Sequence, residues 1–282
     1  MRTALTIAGS DSSGGAGIQA DLKTFAAFGL YGASAITAVT AQSTNGVDQI
    51  APLSADLVTA QLEAVAGDLA IDVTKIGMLA VAAIVEAVAA AIEELELPLV
   101  VLDPVLVSTG GQRLLDDDGV QALCTELFPL ARVITPNVPE AEALSGKRIL
   151  SADDAREAAR RIHDMGCRAV IITGGHRIVA REPRTRTANP ESRIPNPDIV
   201  DLIFDGHTFT ESRVERVEST NTHGTGCTYA SAVAAGLALG RDLRDAAVRA
   251  QRYVAGAIAH APGLGHGRGP LEHFWEWRSR SG

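Results

Sequence analysis

Short apolar runs alternate with longer alanine-rich stretches at helical spacing almost from one end of the chain to the other, and this alternation most restricts what the chain can fold into. Strand-sized and helix-sized apolar segments that take turns bury themselves best as repeated βα units around a mainly parallel sheet. Strands are expected over residues 4–8, 34–40, 73–76, 99–102, 132–134 and 169–173, and helices over 17–28, 55–66, 82–95, 118–127, 152–165, 225–239 and 244–260. Residues 200–204 and 208–212 flank Asp205-Gly206, a turn dipeptide, so a β-hairpin is expected there and would make the sheet mixed.

The segment 152–165 shows the reasoning. Ser151 is a candidate N-cap, and Asp153 and Asp154 fall in the first turn, where negative charge suits the helix dipole. Ala155, Ala158, Ala159, Ile162 and Met165 then form one apolar stripe, and Gly166 ends it. Such a stripe belongs to a core rather than to a cofactor.

The class follows as α/β, with residues 1–282 as one domain, because 46% hydrophobic residues and a mean hydropathy of +0.12 supply enough apolar surface for one large core. Residues 182–198 hold four of the twelve prolines, with Ile194 the one large apolar residue, and read as a loop insertion, either a lid or an inert excursion. The arginines between Arg177 and Arg193 are interrupted by acids and prolines, which suits a solvated loop. With 25 Lys plus Arg against 34 Asp plus Glu the net charge is −9, the wrong sign for a nucleic-acid partner. No apolar run is long enough for a membrane span or an export signal. Cys124, Cys167 and Cys227 lie far apart with no C-x-x-C pair, which points away from disulfides and structural zinc and towards a reducing cytoplasm.

Two glycine-rich segments carry the chemistry. The first runs from Gly9 to Gly17 between an expected strand and helix; Gly15 to Ala20 echoes the dinucleotide fingerprint, but Thr40-Ala41-Gln42 stands where that fingerprint needs an acid. The second is Asn221-Thr222-His223-Gly224-Thr225-Gly226-Cys227 at the mouth of a helix. Glycines leave the first N–H groups of a helix unblocked and the dipole adds a positive end, so Gly224, Thr225 and Gly226 form a candidate anion hole. Cys227 falls in the first turn, where the same field is expected to favour thiolate and to poise it as base or nucleophile. There is no P-loop and no protein-kinase H-R-D or D-F-G sequence. Asp103 and Glu140 stand just past expected strand ends, where carboxylates suit Mg²⁺; Glu140 could equally cap a helix. His176 and His266 read as structural.

Taken together these segments resemble the hydroxymethylpyrimidine and phosphomethylpyrimidine kinases of thiamine synthesis, within the ribokinase-like superfamily. The resemblance covers A-G-S-D at 8–11, G-G-A-G-I-Q-A-D-L-K-T-F at 14–25, T-A-x-x-A-Q at 37–42, K-I-G-M-L at 75–79, D-P-V at 103–105, T-P-N-x-x-E-A at 135–141, G-G-H at 174–176, N-T-H-G-T-G-C at 221–227 and G-H-G-x-G-P at 265–270. It implies a three-layer α/β/α fold in which ATP with Mg²⁺ phosphorylates a hydroxymethylpyrimidine and then its monophosphate at one site. It also implies that Gly9, Asp21, Gln42, Met78 and Val105 line the pyrimidine pocket, with the Gln42 amide on the heterocycle. Nucleotide contacts are implied for Asn137, Thr173 and Asn221, metal contacts for Asp103 and Glu140, and the role of base for Cys227. A homodimer is implied as well. Thr173 stands where many relatives carry lysine, and 182–198 is longer than is usual. A pyridoxal or pyridoxine kinase, or a non-catalytic pyrimidine sensor, are the competing readings.

Overall fold

The structure is a computed structural model, and it describes residues 1–108, 110–174 and 198–278. The expected loop over 182–198, apart from Asp198, lies outside these residues, as do the arginine cluster and His176.

The chain opens with β1 (Thr3–Asp11), α1 (Gly17–Ala27), β2 (Tyr31–Ser43), β3 (Gly46–Pro52), α2 (Ala55–Asp68), β4 (Val73–Ile76), α3 (Ala82–Glu94) and β5 (Val100–Leu102). It continues with α4 (Asp117–Ala122), β6 (Val133–Ile134), α5 (Val138–Ser145), α6 (Ala152–His163), β7 (Val170–Ile172), β8 (Ile199–Phe204), β9 (Phe209–Val214), α7 (Thr225–Ala238), α8 (Leu243–Ala259) and α9 (Trp275–Arg278). The nine strands form one sheet in the order β3-β2-β1-β4-β5-β6-β7-β8-β9. β1 pairs in parallel with both β2 and β4, and the parallel pairing runs on to β7, while β3, β8 and β9 join antiparallel. The expected hairpin is β8–β9, and the sheet is mixed.

Alternate residues of the strands face opposite layers. Leu5, Ile7, Leu102 and Ile134 pack with α2 to α6, while Ala4, Val101, Val133 and Ile171 pack with α1, α7 and α8. This gives the expected three layers. Because the chain leaves β1 for β2 and β3 and then returns to β4 on β1's other side, the crossovers diverge between β1 and β4, and a crevice opens at the carboxyl ends of these strands.

Local chemistry sets the element ends. Ser151 caps α6, its hydroxyl accepting from Asp154 N–H at 3.1 Å, which is worth about 1 kcal/mol. The segment expected as one helix over 118–127 is instead α4 followed by a wider π turn over Leu123–Leu127. Two further elements carry no apolar periodicity in sequence. β3 is an edge strand with mostly exposed residues, and α5 is a short helix started by Pro139 and a capping box between Asn137 and Glu140.

Candidate active site

A cavity of about 670 Å³ opens at the carboxyl ends of the central strands, beneath the N-terminus of α7. Its first wall is the glycine loop after β1. Asp11, at the strand's end, accepts N–H groups from Ser13 at 2.8 Å, Gly15 at 3.0 Å and Ala16 at 2.8 Å, so one carboxylate shapes the loop. His223 Nε2 lies 2.8 Å from the same carboxylate. Burial alone would raise the Asp11 carboxyl, but the hydrogen bonds from His223, Ser13 and Ala16 outweigh it and hold it down at about 2. Gly17 has φ +55°, and a Cβ there would fall 2.2 Å from the Gly9 carbonyl oxygen, so this helix start admits glycine alone.

The second wall is the tip of α7. Gly224 has φ +82°, and a Cβ on it would meet the Gly15 carbonyl oxygen at 1.9 Å. The two glycine loops therefore touch main chain to main chain. Thr225 donates its hydroxyl to Thr222 O at 2.7 Å, which holds the turn closed. The first-turn N–H groups of α7 have no partner within the helix, and Thr225, Gly226 and Cys227 all line the cavity. Asp103 faces this tip: a Cβ on Gly226 would lie 3.7 Å from its Oδ2.

The expected lowering of the Cys227 thiol is overturned. Burial pushes it up to about 12, the Asp21 and Asp103 carboxylates add to that, and Lys75 and the Gly17 N–H only partly oppose it. Cys227 is half-buried at the cavity and is a thiol in the free protein at neutral pH.

Asp21 is the second correction. It is fully buried and is not among the residues lining the cavity. Its Oδ2 accepts from Thr6 Oγ1 at 2.6 Å and Lys75 Nζ at 3.0 Å, and its Oδ1 from Ser231 Oγ at 2.7 Å. Ser231 lies one turn beyond Cys227 on α7, so the Asp21–Lys75 pair supports the wall behind the thiol. Burial disfavours the Lys75 ammonium, yet Asp21, Cys227 and Asp103 together raise it above its ordinary value.

Asp103 and Glu140 both line the cavity and are both held towards the protonated form. Burial raises Asp103 to about 6, with Lys75 opposing and Asp21 assisting. Burial and the Asp103 charge raise Glu140 to about 8. Glu140 also caps its own helix, accepting Asn137 N–H at 3.0 Å while Asn137 Oδ1 accepts Glu140 N–H at 3.0 Å. Two buried carboxylates that repel one another fit a divalent cation between them. Among the described residues no group of three or more His, Cys, Asp or Glu side chains suited to a metal occurs.

Gly9, Gln42, Met78 and Val105 line the cavity, and a Cβ on Gly9 would sit 3.0 Å from Met78 Cε. The Gln42 amide is already engaged, Oε1 by Thr40 Oγ1 at 3.0 Å and Nε2 beside His223 Nε2 at 3.2 Å. Asn137 and Thr173 line the cavity and form a parallel bridge with one another. Asn221 is not brought to the cavity; its Oδ1 lies where a Cβ on Gly269 would fall, 2.1 Å away. His266 is exposed and its backbone N–H donates to Thr44 Oγ1 at 3.2 Å, a structural role. Sequence reasoning missed Asp11, His223 and Lys75, all inside quoted motifs, and Asp201, which accepts Gly174 N–H at 2.9 Å and is raised by burial to about 6.

The family model described as phosphomethylpyrimidine kinase matches residues 11–272. A hydroxymethylpyrimidine/phosphomethylpyrimidine kinase from Rhizobium meliloti is 46% identical over 279 residues, 97% of each chain. A bifunctional thiamine biosynthesis protein from Geobacter sulfurreducens is 47% identical over 96% of this chain, which spans 52% of that longer protein. Among solved structures, the ADP complex of Bacillus subtilis pyridoxal kinase superposes with a TM-score of 0.85 at 38% identity, covering 99% of both chains.

Proposed function

The chain belongs to the phosphomethylpyrimidine kinase family, and from that premise we propose that its cavity transfers the γ-phosphoryl group of ATP to 4-amino-5-hydroxymethyl-2-methylpyrimidine and then to the resulting monophosphate. The observation that carries the reading is the meeting of the α7 tip, Asp103 and the residues Gly9, Gln42, Met78 and Val105 around one cavity. Phosphoryl transfer asks a protein for position and electrostatics more than for covalent chemistry.

The acceptor ring lies between Gly9, Met78 and Val105, with its polar edge towards Gln42. Its hydroxymethyl arm points at Cys227. The N–H groups of Gly224, Thr225, Gly226 and Cys227 receive the negative charge that builds on the transferred group. The nucleotide lies on the β7–β9 side, near Asn137 and Thr173. Asp103 and Glu140 would hold Mg²⁺, which supplies neutralisation of the phosphate oxygens when bound. As a thiolate, Cys227 Sγ accepts the hydroxymethyl proton while the alcohol oxygen bonds to the γ-phosphorus, the bond from that phosphorus to the β,γ-bridging oxygen breaks, and ADP leaves with the electron pair. Burial, with the Asp21 and Asp103 carboxylates adding to it, holds Cys227 as a thiol, so its own proton must first pass to water; a cation held by Asp103 and Glu140 would offset part of the carboxylate share of that cost. The 1–282 chain acts as one catalytic unit, a homodimer in a reducing cytoplasm. The three free cysteines support the compartment, and light scattering tests the dimer.

A pyridoxal kinase reading is kept alive by the ADP-bound Bacillus subtilis relative. ADP release measured with hydroxymethylpyrimidine, its monophosphate and pyridoxal separates the two. The pyrimidine reading expects both pyrimidines to be turned over with higher kcat/KM than pyridoxal; preference for pyridoxal with no reaction of the monophosphate would overturn it.

A further inference from the structure

The two acceptors differ in charge. The hydroxymethyl compound is neutral, whereas its monophosphate carries roughly −1.5 to −2 at neutral pH, with a second pKa near 6. The cavity that must take both is lined by Asp11, Asp103, Glu140, Asp201, Glu215 and Glu218, and Asp11 is held firmly ionised on the acceptor side. A dianion entering beside it needs a cation that the neutral acceptor does not. Among the described residues lining the cavity only Arg216 and Arg268 bring a permanent positive charge. Arg216 follows β9, at the edge of the sheet farthest from β2. Arg268 sits at the opposite side, over the turn between β2 and β3, where Gln42 and Val47 line the acceptor half.

The loop carrying Arg268 is fastened on every side. His266 and Gly267 each donate N–H to Thr44 Oγ1 at 3.2 Å, Arg268 N–H donates to Thr44 O at 2.9 Å, and Gly269 O accepts His223 N–H at 3.1 Å. A Cβ on Gly267 would lie 2.1 Å from Thr44 O, and one on Gly269 would lie 2.1 Å from Asn221 Oδ1. The backbone on both sides is thus too closely packed for any side chain. Position 268 alone in this tripeptide projects one, exposed at the cavity mouth.

We infer that Arg268 is the residue that recognises the phosphate of the phosphomonoester acceptor and so makes the second phosphorylation possible. This rests on the two-step reading above. A guanidinium fork engages two non-bridging oxygens of the monoester and leaves the third to attack. That oxygen forms a bond to the γ-phosphorus of ATP, the bond from γ-phosphorus to the β,γ-bridging oxygen breaks, and ADP leaves with the electron pair. The dianionic acceptor has no proton to lose, so this step asks nothing of Cys227 as a base.

Steady-state kinetics with each acceptor on wild type, Arg268→Ala, Arg268→Lys and, as a remote control, Arg132→Ala test the inference. The expected result for Arg268→Ala is a fall of 30-fold or more in the ratio of kcat/KM for the monophosphate to kcat/KM for the hydroxymethyl compound, carried mainly by KM. Arg268→Lys should recover part of the ratio, since it keeps the charge without the fork, and Arg132→Ala should leave it within twofold. A ratio that stays within threefold of wild type in Arg268→Ala overturns the inference, even if both activities drop together, because joint loss reports a structural role. Should Arg268→Ala not fold, Arg268→Lys decides on the same ratio. A wild-type protein that phosphorylates neither pyrimidine would overturn the two-step reading itself, an outcome visible before any variant is made.

Discussion

The buried pair of Lys75 and Asp21 gives the sharpest test of how the site wall is held. Both side chains have no exposure, their charged atoms lie 3.0 Å apart, and Thr6 and Ser231 satisfy the remaining carboxylate lone pairs. In Lys75→Met the stem volume is nearly kept while the charge is removed, so Asp21 becomes an uncompensated buried anion. Breaking such a pair from one side costs about 3 to 5 kcal/mol. Unfolding entropy of about 2.1 cal/mol/K per residue gives roughly 0.6 kcal/mol/K for a chain of this length, so the melting temperature should fall by about 5 to 8 °C. Adding Asp21→Asn removes the stranded charge, keeps the hydroxyl partners, and should restore more than half of that loss. Calorimetry on the wild type, both singles and the double variant measures the cycle. A drop below about 2 °C in Lys75→Met, or a double variant that falls by the sum of the singles, refutes the reasoning. The pH dependence follows from the raised Lys75: the pair's contribution is complete below the unfolded lysine value near 10.4 and fades only above it, so the cycle should read the same at pH 6 and pH 9.

Other expectations follow from the same geometry. Cys227→Ala should lower kcat for the hydroxymethyl acceptor by about 10²-fold or more while pyrimidine affinity, read by calorimetric titration, stays within threefold, since a base acts in the transition state; unchanged turnover would leave Cys227 as packing. Gly224→Ala places a Cβ 1.9 Å from the Gly15 oxygen on a left-handed backbone, so activity should be lost along with about 1 to 3 kcal/mol of stability; wild-type turnover in this variant would contradict the close contact. Glu140, raised to about 8, and Asp103, raised to about 6, bind a proton in competition with a cation, so half-saturating Mg²⁺ should fall as pH rises from 6 to 8.5, and a flat profile would speak against this carboxylate pair. The same raised values make their contribution to stability greatest below about pH 4 and lost as pH climbs through 6 to 8, a trend that Glu140→Gln should flatten in urea melts.

What could be read from the sequence follows from how far each feature reaches along the chain. β4 and the start of α6 are local, set by apolar runs and a cap within a few residues, and they stand where the pattern put them. β3 was hidden because an edge strand exposes both faces and loses its alternation, and α5 because Pro139 and Glu140 start it by capping rather than by a stripe. In the site, the glycines announced the α7 tip, since helix-start chemistry is local. The clasp of Asp11 to His223 spans 212 residues and leaves no periodic trace, so neither residue stood out from its motif. Asp21 was drawn into the pocket by likeness to relatives, whereas the fold spends its carboxylate on Lys75, Thr6 and Ser231. The thiol was misjudged because a helix field was weighed without the two carboxylates and the burial that surround it.

The meeting of Gly15 with Gly224 has a consequence for how the molecule matures. One side of the seam is made when the first helix forms, but the other waits for residues more than two hundred positions later, and main-chain contact together with the Asp11–His223 clasp joins them. A chain halted before α7 would own an acceptor bed and no cradle for the travelling phosphate. Competence therefore waits until α7 has been made and closes on the first glycine loop, and a chain still short of that helix has no partly working form with which to squander nucleotide.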